Sequence, residues 1–358
     1  VITITSRVHD YAVHFEDDDR FLAGLDRFPQ RVVVVDENVW RLHRQGCLRH
    51  LAEQEVMVFR VSEERKTLEG VAEVYDQLMQ RAAKKNVTLV SIGGGIVQDV
   101  TGFVASSLYR GINWVFVPTT LLAQADSCVG SKTSLNYRRY KNLLGTFYPP
   151  KEVHIFSPFL GTLTEDDFRS GLGEVVKLHL MGGLASTALL GQELPALLRR
   201  EPAPLLAAIH RSLAVKRSYM EGDEFDTGRR NLLNFGHCFG HALETTSDYA
   251  IPHGQAVVVG MLFANLAAVR RGLLREETAA ALARELLLPS LSLRVRPAYL
   301  ARAGVLEAMR QDKKRIGKDL VVVMLREDRE LEKHTDFTEA ELAQALEDLE
   351  GLLTPLAG

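Results

Sequence analysis

Over the first 150 residues, short β-branched runs alternate with amphipathic stretches. Arg31-Val-Val-Val-Val-Asp36, Val56-Met-Val-Phe59, Val87-Thr-Leu-Val-Ser-Ile92 and Trp114-Val-Phe-Val117 read as buried strands. Between them, Thr67 to Lys84 keeps the three- and four-residue apolar spacing of a helix. Alternating strand and helix predicts a parallel sheet covered by helices. After Pro149-Pro150 the pattern turns mostly helical, with segments predicted at 164–182, 203–220, 229–247 and 253–272. Leu320 to Leu325 reads as an isolated strand. The expected architecture is an α/β N-terminal domain over residues 1–150 and a mainly α-helical C-terminal domain over residues 151–358.

Composition narrows the class. The chain has 358 residues, 46% hydrophobic and 25% charged, as in a globular protein. A net charge of -3 leaves no electrostatic footprint for nucleic acid or an anionic membrane. Its apolar runs, such as Ala256 to Val269, are too short to cross a bilayer. Cys47, Cys128 and Cys238 are too few and scattered for a disulfide framework, which points to a reducing compartment. With no basic segment and apolar run at the N-terminus, the expectation is a cytoplasmic protein.

Candidate chemistry begins at Gly93-Gly94-Gly95, between a predicted strand and a predicted helix. Glycines there let a backbone approach a pyrophosphate whose charge a helix N-terminus stabilises. Asp36 ends another strand, Asp99 lies one turn into the helix after the glycines, and Thr119 and Thr120 follow a third strand. Each alone is more often a cap or turn residue; their shared position at strand ends favours a dinucleotide.

The helical half carries a denser set. His237 and His241 are four apart, and His253 follows between Pro252 and Gly254. If 229–247 is one helix, Arg230, Asn234, His237 and His241 share a face. A zinc site needs three or four ligands, and a carboxylate such as Glu174, with His237 and His253, would complete a set that leaves a position for substrate. Glu174 and Lys177 are three apart on a predicted helix, and Lys216 adds a further cation. Asp126 to Lys132, with Lys141-Asn142, places amides and lysines suited to an anion.

Taken together, Gly93 to Asp99, Tyr109-Arg110-Gly111, Val117 to Leu122, Asp126 to Thr133, Lys141-Asn142, Gly173 to Lys177, Asn234 to His241 and His253-Gly254 resemble the sugar phosphate cyclases, whose type member is 3-dehydroquinate synthase. The likeness runs in order from about residue 31 to Gly317. It implies NAD in the N-terminal domain and Zn2+ or Co2+ in the C-terminal one, with Glu174, His237 and His253 as metal ligands. It implies that Asp126, Lys132, Asn142, Lys177, Lys216, Arg230, Asn234 and His241 surround a small-molecule sugar phosphate. Lys132, Asn142, His241 and either Lys313 or Lys314 would hold its phosphate. Arg110 would reach the phosphate site of a partner in a homodimer. Asp36, Glu63, Lys66, Gly93, Gly94, Gly95, Asp99, Thr119, Thr120 and Thr162 would bind NAD. The implied reaction is transient oxidation, β-elimination of phosphate, re-reduction and intramolecular aldol closure to a carbocycle.

Family members differ in substrate. Arg230 suits the carboxylate of the heptulosonate 7-phosphate used by 3-dehydroquinate synthase. Against this, Ser131, Gln255, Cys238 and Leu178-His179 depart from the usual synthase pattern. These departures favour a side branch acting on sedoheptulose 7-phosphate to give a valiolone-type cyclitol. A metal-dependent polyol dehydrogenase would share the two-domain plan, but has no use for Lys132, Asn142 and Arg110 around a phosphate. A non-catalytic binding protein would not need every ligand position filled.

Overall fold

A computed structural model describes residues 1–28, 30–138, 140–311 and 319–354. The chain forms two compact units, Val1–Leu163 and Thr164–Gly358.

The first unit is built on a seven-stranded sheet with order β1-β2-β9-β6-β5-β3-β4. Its strands are β1 (Ile2–Ile4), β2 (Tyr11–Phe15), β3 (Arg31–Asp36), β4 (Val56–Phe59), β5 (Thr88–Gly93), β6 (Asn113–Pro118) and β9 (Glu152–Ile155). Only β1–β2 is antiparallel; the other pairings are parallel. The valine-rich runs fit strands buried on both faces, and Val33, Val35, Val90, Ile92, Val115 and Val117 form one core layer with Phe156 and Phe159. Helices α1 (Arg20–Gly24), α2 (Glu37–His43), α3 (Leu68–Gln80) and α4 (Gly95–Ser107) connect the strands. A separate antiparallel pair, β7 (Lys132–Tyr137) and β8 (Tyr140–Phe147), completes the unit. The unit runs past the boundary expected at Pro150 because β9 pairs with β2 and β6.

The second unit is mostly helical: α5 (Glu165–Met181), α6 (Gly183–Leu198), α7 (Pro202–Met220), α8 (His237–Thr246), α9 (His253–Arg270), α10 (Glu276–Leu282), α11 (Leu288–Ser290), α12 (Arg302–Arg310) and α13 (Glu339–Leu353). The strand predicted to stand alone is β10 (Leu320–Leu325), which pairs with β11 (Leu331–Phe337). Fourteen residues of α9 are buried, so it is the central helix of this unit. It packs against α5 and α8.

The helix expected over 229–247 is broken. Arg229–Asn234 form a short 3-10 turn, Gly236 takes a left-handed φ of 77°, and α8 starts at His237. A Cβ at Gly236 would lie 2.6 Å from the Val257 carbonyl oxygen, so only glycine fits there. Arg230 and Asn234 therefore do not share a continuous helix face with His237 and His241.

Candidate active site

Three glycines set the spacing of the second unit's site. Glu174 follows Gly173 on α5, His253 precedes Gly254 on α9, and His237 follows Gly236. A Cβ on Gly173 would collide with the Gly254 carbonyl, and one on Gly254 with the Ser170 carbonyl. The helices thus touch backbone to backbone beside Glu174 and His253.

There, Glu174 Oε1 lies 3.5 Å from His237 Nε2 and 3.4 Å from His253 Nε2. These separations are long for hydrogen bonds. They match the edge of a tetrahedron around zinc, about 3.4 Å for bonds of about 2.0–2.1 Å. One ligand atom from each of the three residues falls within 4.8 Å of the others. Lys177 Nζ takes the other oxygen of Glu174 at 2.5 Å, which leaves Oε1 facing the histidines. Both Glu174 and Lys177 are buried.

The outer ring nitrogens are held as well. His237 Nδ1 donates to the Phe235 carbonyl at 3.1 Å, and His253 Nδ1 donates to Glu244 Oε2 at 3.2 Å. Burial pushes the His237 pKa well below its ordinary value, aided by the Lys177 ammonium and then by His253 and His241. A neutral imidazole is what a metal ligand requires. Burial also opposes charge on His253, but the neighbouring carboxylates of Glu174 and Glu244 outweigh it and raise its pKa to about 10. The cluster thus draws positive charge toward Glu174. These residues fit a divalent cation.

His241 stands beside both histidines, its ring centroid 5.4 Å from that of His237 and 5.8 Å from that of His253. Lys216 is buried on α7, and Arg230 is buried with its guanidinium on the Glu224 carbonyl. Asn234 Nδ2 donates to the Asn231 carbonyl at 2.7 Å. Glu244 had a sequence signal, since it lies on α8 seven residues after His237 and three after His241.

The first unit gathers the other candidates along the carboxyl edge of its parallel strands. β3, β5 and β6 are neighbours, and Gly93 pairs in register with Pro118. Asp36, Gly93, Gly94, Gly95, Thr119 and Thr120 therefore lie at one sheet edge. Asp36 caps α2, accepting from Asn38 N at 2.7 Å. Thr119 N donates to the Gly93 carbonyl. Thr162 bonds His43 Nε2 at 2.9 Å, a contact without a sequence signal.

Glu63, Lys66, Asp99 and Asn142 form one polar network. Lys66 Nζ lies 2.6 Å from Asp99 Oδ2 and donates to Asn142 Oδ1 at 2.6 Å. Ser134 donates to Asp99 through N and Oγ at 2.8 and 2.9 Å. Asn136 links Glu63 to Asn142, donating to Glu63 Oε1 at 2.9 Å and accepting from Asn142 N at 2.9 Å. Burial raises the Asp99 pKa, against the opposing pull of Lys66 and Ser134. Asn142 thus groups with residues whose resemblance is to the NAD set, although its own is to the phosphate set. Lys132 is exposed over the Phe147 ring, Asp126 lies in a π-helical turn over Ala123–Ser127, and Arg110 is exposed with a φ of 62°. Lys313 and Lys314 lie outside the described residues.

Models of the N-terminal and C-terminal domains of 3-dehydroquinate synthase match residues 56–170 and 171–315. A 3-dehydroquinate synthase from Halorhodospira halophila is 39% identical over 300 residues, covering 82% of this chain and 83% of that one. The chain belongs to the sugar phosphate cyclases, the superfamily of 3-dehydroquinate synthase. A 3-dehydroquinate synthase from Clostridium tetani is 41% identical over 232 residues, 64% of this cyclase and 62% of that protein. Among solved structures, ValA, a 2-epi-5-epi-valiolone synthase from Streptomyces hygroscopicus subsp. jinggangensis 5008 with NAD+ and Zn2+ bound, superposes with a TM-score of 0.85. It is 26% identical, covering 98% of this cyclase and 99% of that chain.

The departures from the synthase pattern have structural partners. Gln255 is fully buried; its Nε2 donates to the carbonyls of Arg169 and Ser290, and its Oε1 accepts from Ser292 N. His179 is fully buried, donating from Nδ1 to the Val175 carbonyl at 2.8 Å and accepting from Arg211 Nε at 3.3 Å. Leu178 and Cys238 are buried too. Ser131 is buried with a φ of 62°. No helix among the described residues is long and apolar enough to cross a membrane.

Proposed function

We propose that this cyclase is a 3-dehydroquinate synthase, closing the carboxylated heptulosonate 7-phosphate to a carbocyclic ketone with loss of phosphate. The observation that carries the substrate choice is Arg230. It is a buried guanidinium in the metal-binding unit, and a bidentate grip on a carboxylate is what such a group does best. The relatives that are 39% and 41% identical are themselves 3-dehydroquinate synthases.

Zinc or cobalt, which Glu174, His237 and His253 would hold, would supply a Lewis acid, and NAD would supply reversible hydride transfer. Lys177 fixes the Glu174 carboxylate so that one oxygen faces the histidines. Lys177 and Lys216, both buried, stabilise negative charge developing on the substrate. Asp126, Asn234 and His241 position its hydroxyls and the bridging phosphate oxygen, and Lys132, Asn142 and Lys313 or Lys314 hold the phosphate. Arg110, exposed on the first unit, serves a partner's phosphate site in a homodimer. Asp36, Glu63, Lys66, Gly93, Gly94, Gly95, Asp99, Thr119, Thr120 and Thr162 form the NAD site. The enzyme works in the cytoplasm.

Sedoheptulose 7-phosphate, favoured in the sequence by Ser131, Gln255, Cys238 and Leu178-His179, stands second. Its support is the likeness to the valiolone synthase. The packing roles of Gln255 and His179 remove most of the reason to read those departures as substrate contacts. The test offers each sugar phosphate separately with NAD and zinc and measures inorganic phosphate and carbocycle. Turnover of the carboxylated sugar alone is expected. Turnover of sedoheptulose 7-phosphate alone overturns the substrate, and net NADH without phosphate release overturns the cyclase reaction in favour of a polyol dehydrogenase.

A further inference from the structure

The two histidines of the metal cluster are braced differently. His237 leans on the Phe235 carbonyl, an acceptor two residues away in its own chain segment. His253 opens α9 after Pro252, so its ring is held from another helix. The group that holds it is Glu244 on α8, whose carboxylate is largely buried and 3.2 Å from Nδ1. α8 thus presents His237, His241 and Glu244 on one face, with the third reaching across to α9.

We propose that Glu244 is a positioning residue for the metal centre: by accepting the Nδ1 proton of His253, it fixes the tautomer and ring orientation that turn Nε2 toward Glu174 and the cation. This rests on the metal reading of Glu174, His237 and His253. A carboxylate bonded to the outer nitrogen of a ligating imidazole holds the ring and raises its basicity, and losing such a partner typically weakens metal binding by about 10–100-fold. Glu244 with His241 and His253 also forms a group that could itself hold an ion. The positioning role differs in stoichiometry: it requires one ion per chain and no direct bond from Glu244.

Zinc affinity and stoichiometry, measured by chelator competition on the full chain without substrate, test it. Glu244→Ala is expected to weaken zinc binding by about 10–100-fold. Glu244→Gln, which keeps an acceptor for Nδ1, is expected to recover at least half of that loss on a logarithmic scale. Glu174→Gln is the control for the ligand set. If Glu174→Gln weakens zinc and Glu244→Ala does not, the positioning role is wrong and the metal site stands. If neither variant changes affinity, the metal reading itself fails. Two zinc ions per chain, one lost in Glu244→Ala, would make Glu244 a ligand and overturn the proposal. Failure of Glu244→Gln to recover any affinity would also overturn it.

Discussion

Each unit buries a lysine against a carboxylate, and the two pairs serve different ends. In the first unit, Lys66 and Asp99 lie 2.6 Å apart, and Ser134 adds two donors to Asp99. Both oxygens of Asp99 are committed to neighbours within that network. In the second unit, Lys177 binds one oxygen of Glu174 at 2.5 Å, and the other faces two imidazole nitrogens at 3.4 and 3.5 Å. The same salt bridge closes one site and aims the other. Burial and pairing are common to both carboxylates; what differs is the spacing of the second oxygen's neighbours.

The largest expected effects test that contrast directly. Asp99→Asn and Glu174→Gln each leave a buried ammonium without its carboxylate, so each is expected to cost about 3–5 kcal/mol of stability in chemical denaturation. Only Glu174→Gln should also lose zinc affinity, by roughly 3 kcal/mol or about a hundredfold, with NAD binding largely intact. Equal zinc loss in both variants would erase the distinction.

A smaller effect belongs to α5, which turns Glu174 toward α8 and α9 but His179 toward α7. Burial lowers the His179 pKa from 6.5 to about 4, against the Val175 carbonyl bond and with help from Arg211. Between these values the unfolded chain binds a proton that the folded chain refuses. Stability is therefore full above about pH 6.5 and falls as pH drops toward 4, by at most about 3 kcal/mol from this group. His179→Gln should flatten that slope in denaturation measured across the window; an unchanged slope would show that His179 is not its source. The smallest effect is at the start of the same helix. Thr164 accepts from Asp167 N at 3.1 Å, and Thr164→Ala should cost about 1 kcal/mol of stability while zinc affinity holds. A change in zinc affinity would show that the end of α5 is coupled to Glu174.

The sheet was legible in the sequence because its central strands are buried runs of valine and isoleucine, and the main helices because their periodicity is strong. The break at Gly236 was not, since its cause is the Val257 carbonyl of another helix. The three ligand candidates were legible from residue type, but helical spacing alone pairs His237 with His241, whereas close packing of α5 and α9 pairs it with Glu174 and His253. The Lys66–Asn142 contact depends on the β7–β8 pairing, a long-range arrangement that local patterns do not encode. Gln255 and His179 read as changes near the chemistry because they adjoin site residues in sequence, yet their side chains clamp neighbouring backbone and helices.

Gly173, Gly236 and Gly254 give the cluster of Glu174, His237 and His253 the character of a fixed gauge. Where helices meet through main chain, their separation has no side chain to compress or repack, so the span between Glu174 and the two histidines is preset by the backbone. A methyl group added at any of these glycines, none of which carries a side chain into the cluster, would drive backbone against backbone and push Glu174 and the histidines apart.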